Sequence, residues 1–140
     1  VDANTLDDYE EGTWTPVVKD DANNTSPSIT HNHSNYTKIG RMVTVTSELS
    51  SISSSGLSST GDVRVYGLPF TVNGYGIGPV NMENVDYKDS YTDTESVTVL
   101  AISTFAYFRV NRNNGGSQGL EGGDLNSGSS GFSFTVTYFV

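Results

Sequence analysis

Phe132-Ser133-Phe134-Thr135-Val136-Thr137-Tyr138-Phe139-Val140 places apolar side chains at 132, 134, 136, 138 and 140, and hydroxyl side chains at 133, 135 and 137. Successive strand residues point to opposite faces, so this period buries one face and wets the other. Phe139 breaks the wet side, and a ring there is the best candidate for burial against a second chain. Upstream, Val43, Val45 and Leu49 alternate with Thr44, Thr46 and Glu48, and Val63 and Val65 repeat the pattern briefly. From Val97 to Val110 the chain is apolar on both faces in places, which predicts a central or interface strand pair turning near Ser103-Thr104.

The rest of the composition agrees with strands. There are 15 Gly and four Ala, and no segment holds the i, i+3, i+4, i+7 apolar spacing of a helix for more than a turn or two. The longest stretch without Gly or Pro, Val80 to Asn114, is rich in Val, Thr, Tyr and Phe, which favour strands. Asp20–Asn35, Ser50–Gly61 and Asn111–Gly131 are polar and read as loops. Gly74-Tyr75-Gly76-Ile77-Gly78 does not fit a phosphate-binding loop and reads as a tight loop presenting Tyr75. Many short strands between turn signals predict an all-β domain, an antiparallel β-sandwich of jelly-roll type. Only 34% of the 140 residues are hydrophobic, against about 45–50% in an ordinary domain, a range that also counts Gly. A partner chain could supply the missing burial.

The net charge of -9 rests on 16 acidic and seven basic residues. Neutralising phosphates needs clustered Lys and Arg, so nucleic acid and anionic membrane surfaces are disfavoured as partners. No apolar run approaches the roughly 18 residues of a membrane span. There is no Cys, so disulfides contribute nothing. The chain begins at Val1 and is read as a piece of a longer protein.

Asn4-Thr5-Leu6-Asp7-Asp8-Tyr9-Glu10-Glu11-Gly12-Thr13-Trp14-Thr15-Pro16 is the most distinctive segment. It resembles a motif at the start of the terminal domain of bacteriophage tail fibres and tailspikes. Tyr36-Thr37-Lys38-Ile39-Gly40-Arg41-Met42-Val43-Thr44-Val45 resembles that family's next block, and Gly67-Leu68-Pro69-Phe70 a third. The region from Val72 to Gly131 matches no block. The resemblance implies a homotrimeric head that caps a fibre shaft and meets a bacterial surface glycan or outer-membrane receptor. Residues 1–12 are then a link from the shaft and 13–140 a single head. The location implied is the tip of a virion tail fibre, or a cell surface where bacteria carry phage-derived fibres. Two alternatives accompany this reading: a structural trimerisation and folding cap, and a polysaccharide depolymerase.

Asp7, Asp8, Glu10 and Glu11 surround Tyr9, either as a solvated link or paired with Lys38 or Arg41 of a neighbouring chain. Trp14, the only Trp, is expected to anchor the core or an interface. Trp14, Tyr9 and Phe139 are the candidate trimer contacts. His31 and His33 could face one target if the strand is regular, and three such pairs about a threefold axis would offer six nitrogens to a metal. An incidental pair in a polar loop is the plainer reading, and no cofactor is otherwise expected. Asp86, Asp89, Asp93 and Glu95 lack the spacing of a calcium loop. An enzyme is not expected, since both His share one loop and no Gly-x-Ser-x-Gly elbow exists. For a glycan, which pairs ring stacking with planar polar groups, the candidates are Tyr75, Tyr87 and Tyr91 with Asp89, and Arg112 with Asn113. Packing of the tyrosines at strand edges is the competing explanation.

Overall fold

The structure, a computed structural model, describes residues 8–87, 94–112 and 116–140. The strands in chain order are β1 (Tyr9–Thr13), β2 (Val17–Lys19), β3 (Thr30–Ile39), β4 (Met42–Ile52), β5 (Arg64–Tyr66), β6 (Val72–Glu83), β7 (Thr94–Ser103), β8 (Phe105–Arg112), β9 (Gln118–Gly119) and β10 (Ser130–Phe139). All pairings between these strands are antiparallel. The all-β expectation holds. Hydrogen bonding joins the strands in one continuous sheet in the order β1-β3-β4-β10-β6-β7-β8-β5-β2, with β9 on β8.

That order forces the sheet to curl. β1 and β2 lie at its two extremes, yet only Trp14-Thr15-Pro16 separates them in the chain. Four Cα–Cα steps of 3.8 Å limit Thr13 and Val17 to about 15 Å apart. The concave side encloses the core, built from the buried parity of each strand: Val43, Val45 and Leu49 of β4, Ala106, Phe108 and Val110 of β8, and Phe132, Phe134, Val136 and Tyr138 of β10. β8 and β10 are not neighbours in the sheet, but Phe108 meets Phe132 at 4.6 Å and Phe134 at 5.9 Å between ring centroids. The contact therefore runs across the inside of the curl. Trp14 is buried there too, edge-on to Phe134 at 6.4 Å, with its indole N–H donating to the Thr46 carbonyl at 3.2 Å. Of its two expected roles, core anchor and interface anchor, Trp14 takes the first; a ring enclosed by its own chain offers little to a second.

Several loops expected from composition are strands. The polar stretch to Asn35 enters β3 at Thr30, and Ser50 and Ser51 continue β4. Most of their polar side chains face solvent while the backbone pairs, and Ser34 turns inward, its hydroxyl 2.9 Å from that of Ser47. The 74–78 segment lies inside β6 and is not a loop. Two of its glycines serve close approach: a Cβ on Gly78 would stand 2.0 Å from the Thr135 carbonyl oxygen of β10, and one on Gly76 2.6 Å from that of Thr137. Gly78→Ala is expected to push β6 off β10 and cost about 1–3 kcal/mol, read as a drop in denaturation midpoint. Tyr9–Gly12, expected within the link, pairs along β3 as the edge strand β1. The turn foreseen at Ser103-Thr104 is present, with Ser103 at φ 52° joining β7 to β8.

Alternating strand directions sort the connections. The turns at 40–41, 67–71 and 103–104 lie at one end, and the segments 20–29, 53–63 and 116–129 at the other. Both chain ends of the described structure meet at the first: the Gly40 amide donates to the Asp8 carbonyl at 2.8 Å and the Val140 amide to the Arg41 carbonyl at 2.9 Å.

At the opposite end Asp20 ties two loops together. Its carboxylate accepts from the Asn24 amide and side chain, both at 2.8 Å, and from the Ser58 amide at 2.7 Å. Burial pushes this carboxyl up, but the bonds from Ser58, Asn24 and Ala22 outweigh it and hold it below its ordinary value. A lowered folded value stabilises the protein above the unfolded value near 3.9, and that stabilisation is lost as pH falls through the folded value. Asp20→Asn is therefore expected to cost about 1–3 kcal/mol at pH 7. In urea titrations its deficit against the parent should shrink as the pH falls below 4.

Candidate functional site: an apolar row on the convex face

The parity that fills the core leaves the other face of β1, β3, β4, β10 and β6 outward. Cross-strand pairing then sets which outward residues lie side by side. Tyr9 pairs with Ile39, Ile39 with Met42, and Met42 with Phe139. Thr137 of β10 pairs with Ile77, and the same register carries Phe139 opposite Tyr75. The result is one transverse row, Tyr9-Ile39-Met42-Phe139-Tyr75, with Ile77 one pleat further along. These six residues are the exposed large hydrophobics among the described residues, with between 37% and 68% of their surface open. They gather at the end where Asp8 and Val140 meet.

Away from that end the face becomes polar. Thr37, Thr44 and Thr137 form the next row, with the Thr44 and Thr137 hydroxyls 2.8 Å apart. Beyond them an open groove of about 500 Å³ is lined by His33, Asn35, Glu48, Asn81, Ser133 and Thr135, among others. His33 Nδ1 stands 3.2 Å from Glu48 Oε2 in its wall.

Asp8, Glu10 and Glu11 find partners within their own chain, and Asp7 lies outside the described residues. Lys38 Nζ donates to Asp8 at 2.6 Å, the Tyr36 hydroxyl to Glu10 at 2.6 Å, and the Tyr9 hydroxyl to Glu11 at 2.5 Å. Donation to Glu11, and then its charge, raise the Tyr9 phenol, and donation to Glu10 raises that of Tyr36. Arg41 reaches the Val140 carbonyl through Nε at 2.8 Å. The pairing of Asp8 with Lys38 is thus intramolecular, because the β1–β3 register brings the two together.

The other expected site residues scatter. Tyr87 is half-buried against the core, with its hydroxyl 3.6 Å from the Met82 sulfur, and burial raises its phenol. Core packing thus takes one face that a sugar would need. Arg112 ends β8, with Nε 3.4 Å from the Gly116 carbonyl. Asp89, Tyr91 and Asn113 lie outside the described residues. His31 and His33 are on β3 and not in a loop, and the register shifts between them. His31 is opposite Leu49 and His33 opposite Glu48, positions on opposite faces of β4, so the shared direction expected from their spacing is interrupted. Among the described residues no group of three or more His, Cys, Asp or Glu is placed to hold a metal. Tyr9 and Phe139, expected at an interface, do share one exposed row. Ile39, Met42 and Ile77 join them without a signal as clear as that of Phe139, since the first two sit at strand ends beside a turn and Ile77 sits among glycines.

No family model, curated protein or solved structure matches the chain. The resemblance to fibre heads therefore rests on its sequence blocks.

Proposed function

We propose that this chain is the attachment head of a homotrimeric phage-type tail fibre or tailspike, which binds a bacterial surface glycan and does not catalyse. The observation that carries the reading is that, among the described residues, the exposed large hydrophobics gather in one row, with Ile77 beside it, at the end where both described termini lie. Contiguous apolar surface of this kind marks an association site. Turned toward a threefold axis, three such rows meet one another, and cyclic closure leaves no sticky surface over. A shaft entering ahead of Asp8 would then sit beside the trimer contact, with the loops at 20–29, 53–63 and 116–129 facing away from it. The same row favours the cap reading, because it accounts for assembly without any ligand. Adsorption separates the two. A purified head that blocks attachment of the parent particle to its host is a receptor binder, and a head that is trimeric but leaves attachment unchanged is a cap.

A further inference from the structure

The convex face of the other half of the sheet carries a different pattern. The pairings Val17↔Tyr66↔Phe105 and Lys19↔Arg64↔Tyr107 lay aromatic rings and cations side by side across β2, β5 and β8. Alternation puts Arg109 on the same face, two residues beyond Tyr107, while Val18, Val65, Ala106 and Phe108 fill the core beneath. Tyr66 and Phe105 have ring centroids 5.0 Å apart, and Phe105 and Tyr107 6.2 Å. Each ring has a cation near it: Lys19 Nζ 5.5 Å from Tyr66, Arg64 Cζ 4.8 Å from Phe105, and Arg109 Cζ 6.0 Å from Tyr107.

Three of the chain's seven Lys and Arg are thus gathered on three strands of a protein with a net charge of -9. Among the described residues no carboxylate lies within ion-pair distance of any of them, whereas Lys38 has Asp8. Lys19 donates to the Asn23 side chain at 2.9 Å. Asp62, two residues before Arg64, feels the charge of both arginines and also that of Asp21 and Glu121. A row of rings held by their neighbours, with guanidinium forks beside them, suits a ligand with C–H faces and carboxylates. Rings stack on the first, and the fork pairs two-to-two with the second.

We infer that the β2–β5–β8 face binds an acidic saccharide, a chain of uronic acid units, with Tyr66, Phe105 and Tyr107 as the stacking platform and Arg64 and Arg109 as the carboxylate clamps. The inference rests on the attachment reading and names its ligand class and place. Three strands spaced about 4.8 Å apart make the whole face roughly 10 Å wide, so it holds a short stretch of a polymer and gains strength from three copies per head.

The test titrates the intact protein with a hexamer of galacturonic acid and with the same hexamer methyl-esterified. The free acid should bind and weaken as salt is raised, and esterification should cost about tenfold or more. Arg64→Gln with Arg109→Gln should weaken the acid hexamer by a similar factor, with the circular dichroism spectrum unchanged. Arg64→Lys with Arg109→Lys should fall between, keeping charge without the fork. Equal binding of acid and ester, or no binding of either, overturns the inference, and this comparison needs no variant to fold. Loss of hexamer binding with host adsorption intact would sink this site alone. A head that binds the hexamer yet leaves attachment of the parent particle to its host unchanged would sink the attachment reading.

Discussion

Phe139→Asp combined with Ile77→Asp is expected to leave the protein as folded single chains. Both side chains are mostly open in the single chain, at 54% and 68%, so the core does not feel their removal. On an outward strand position the exchange costs about 1 kcal/mol or less in strand preference. Between copies the same carboxylates would be buried without partners, at several kcal/mol for each charge. Three chains bring six of them together. Assembly should therefore fail by orders of magnitude while the strand-type circular dichroism spectrum persists. Sedimentation velocity reads this directly. A double variant that sediments as a trimer would show that the row is not the contact.

Phe108→Ala is the largest expected loss within the chain. Phe108 is fully buried and is the ring through which β8 touches both Phe132 and Phe134 across the curl. Truncating such a ring costs about 3–5 kcal/mol, partly in lost transfer energy and partly in the cavity left behind. Against a total stability of about 5–15 kcal/mol, that is a large share. At about 2–4 °C per kcal/mol for a domain near this size, the melting temperature should fall by roughly 6–20 °C. A shift of only about 2 °C would mean that β8 and β10 do not depend on each other as their ring contacts indicate.

The strands that were legible in the sequence are those whose two faces differ. β4 and β10 show it plainly, since Val43, Val45 and Leu49, and Phe132 to Tyr138, fall on one parity and Thr on the other. The β7–β8 turn was legible because Ser103-Thr104 interrupts two apolar runs. β1 and the first four residues of β3 were not, because a segment open to water on both faces carries no period: Glu10–Gly12 and Thr30–His33 hold no apolar side chain. β6 hid behind its glycines; the reason for Gly78 is the backbone of Thr135, a residue 57 positions away.

The site was legible in part for the same reason. Phe139 announced itself by breaking a strict alternation. Met42 and Ile39 flank the Gly40-Arg41 turn, where alternation has too few residues to test, and Ile77 sat among glycines. That these residues form one row follows from register, which no local pattern carries. The aromatic and cationic face of β2, β5 and β8 is distributed over three distant segments and is visible only after pairing.

Assembly is the central claim, and light scattering coupled to size exclusion tests it most directly. The single chain has a mass of 15.0 kDa. The account predicts a particle of three times that mass, unchanged on dilution through the micromolar range. A particle of 15.0 kDa, holding its fold with the apolar row open to water, would contradict it.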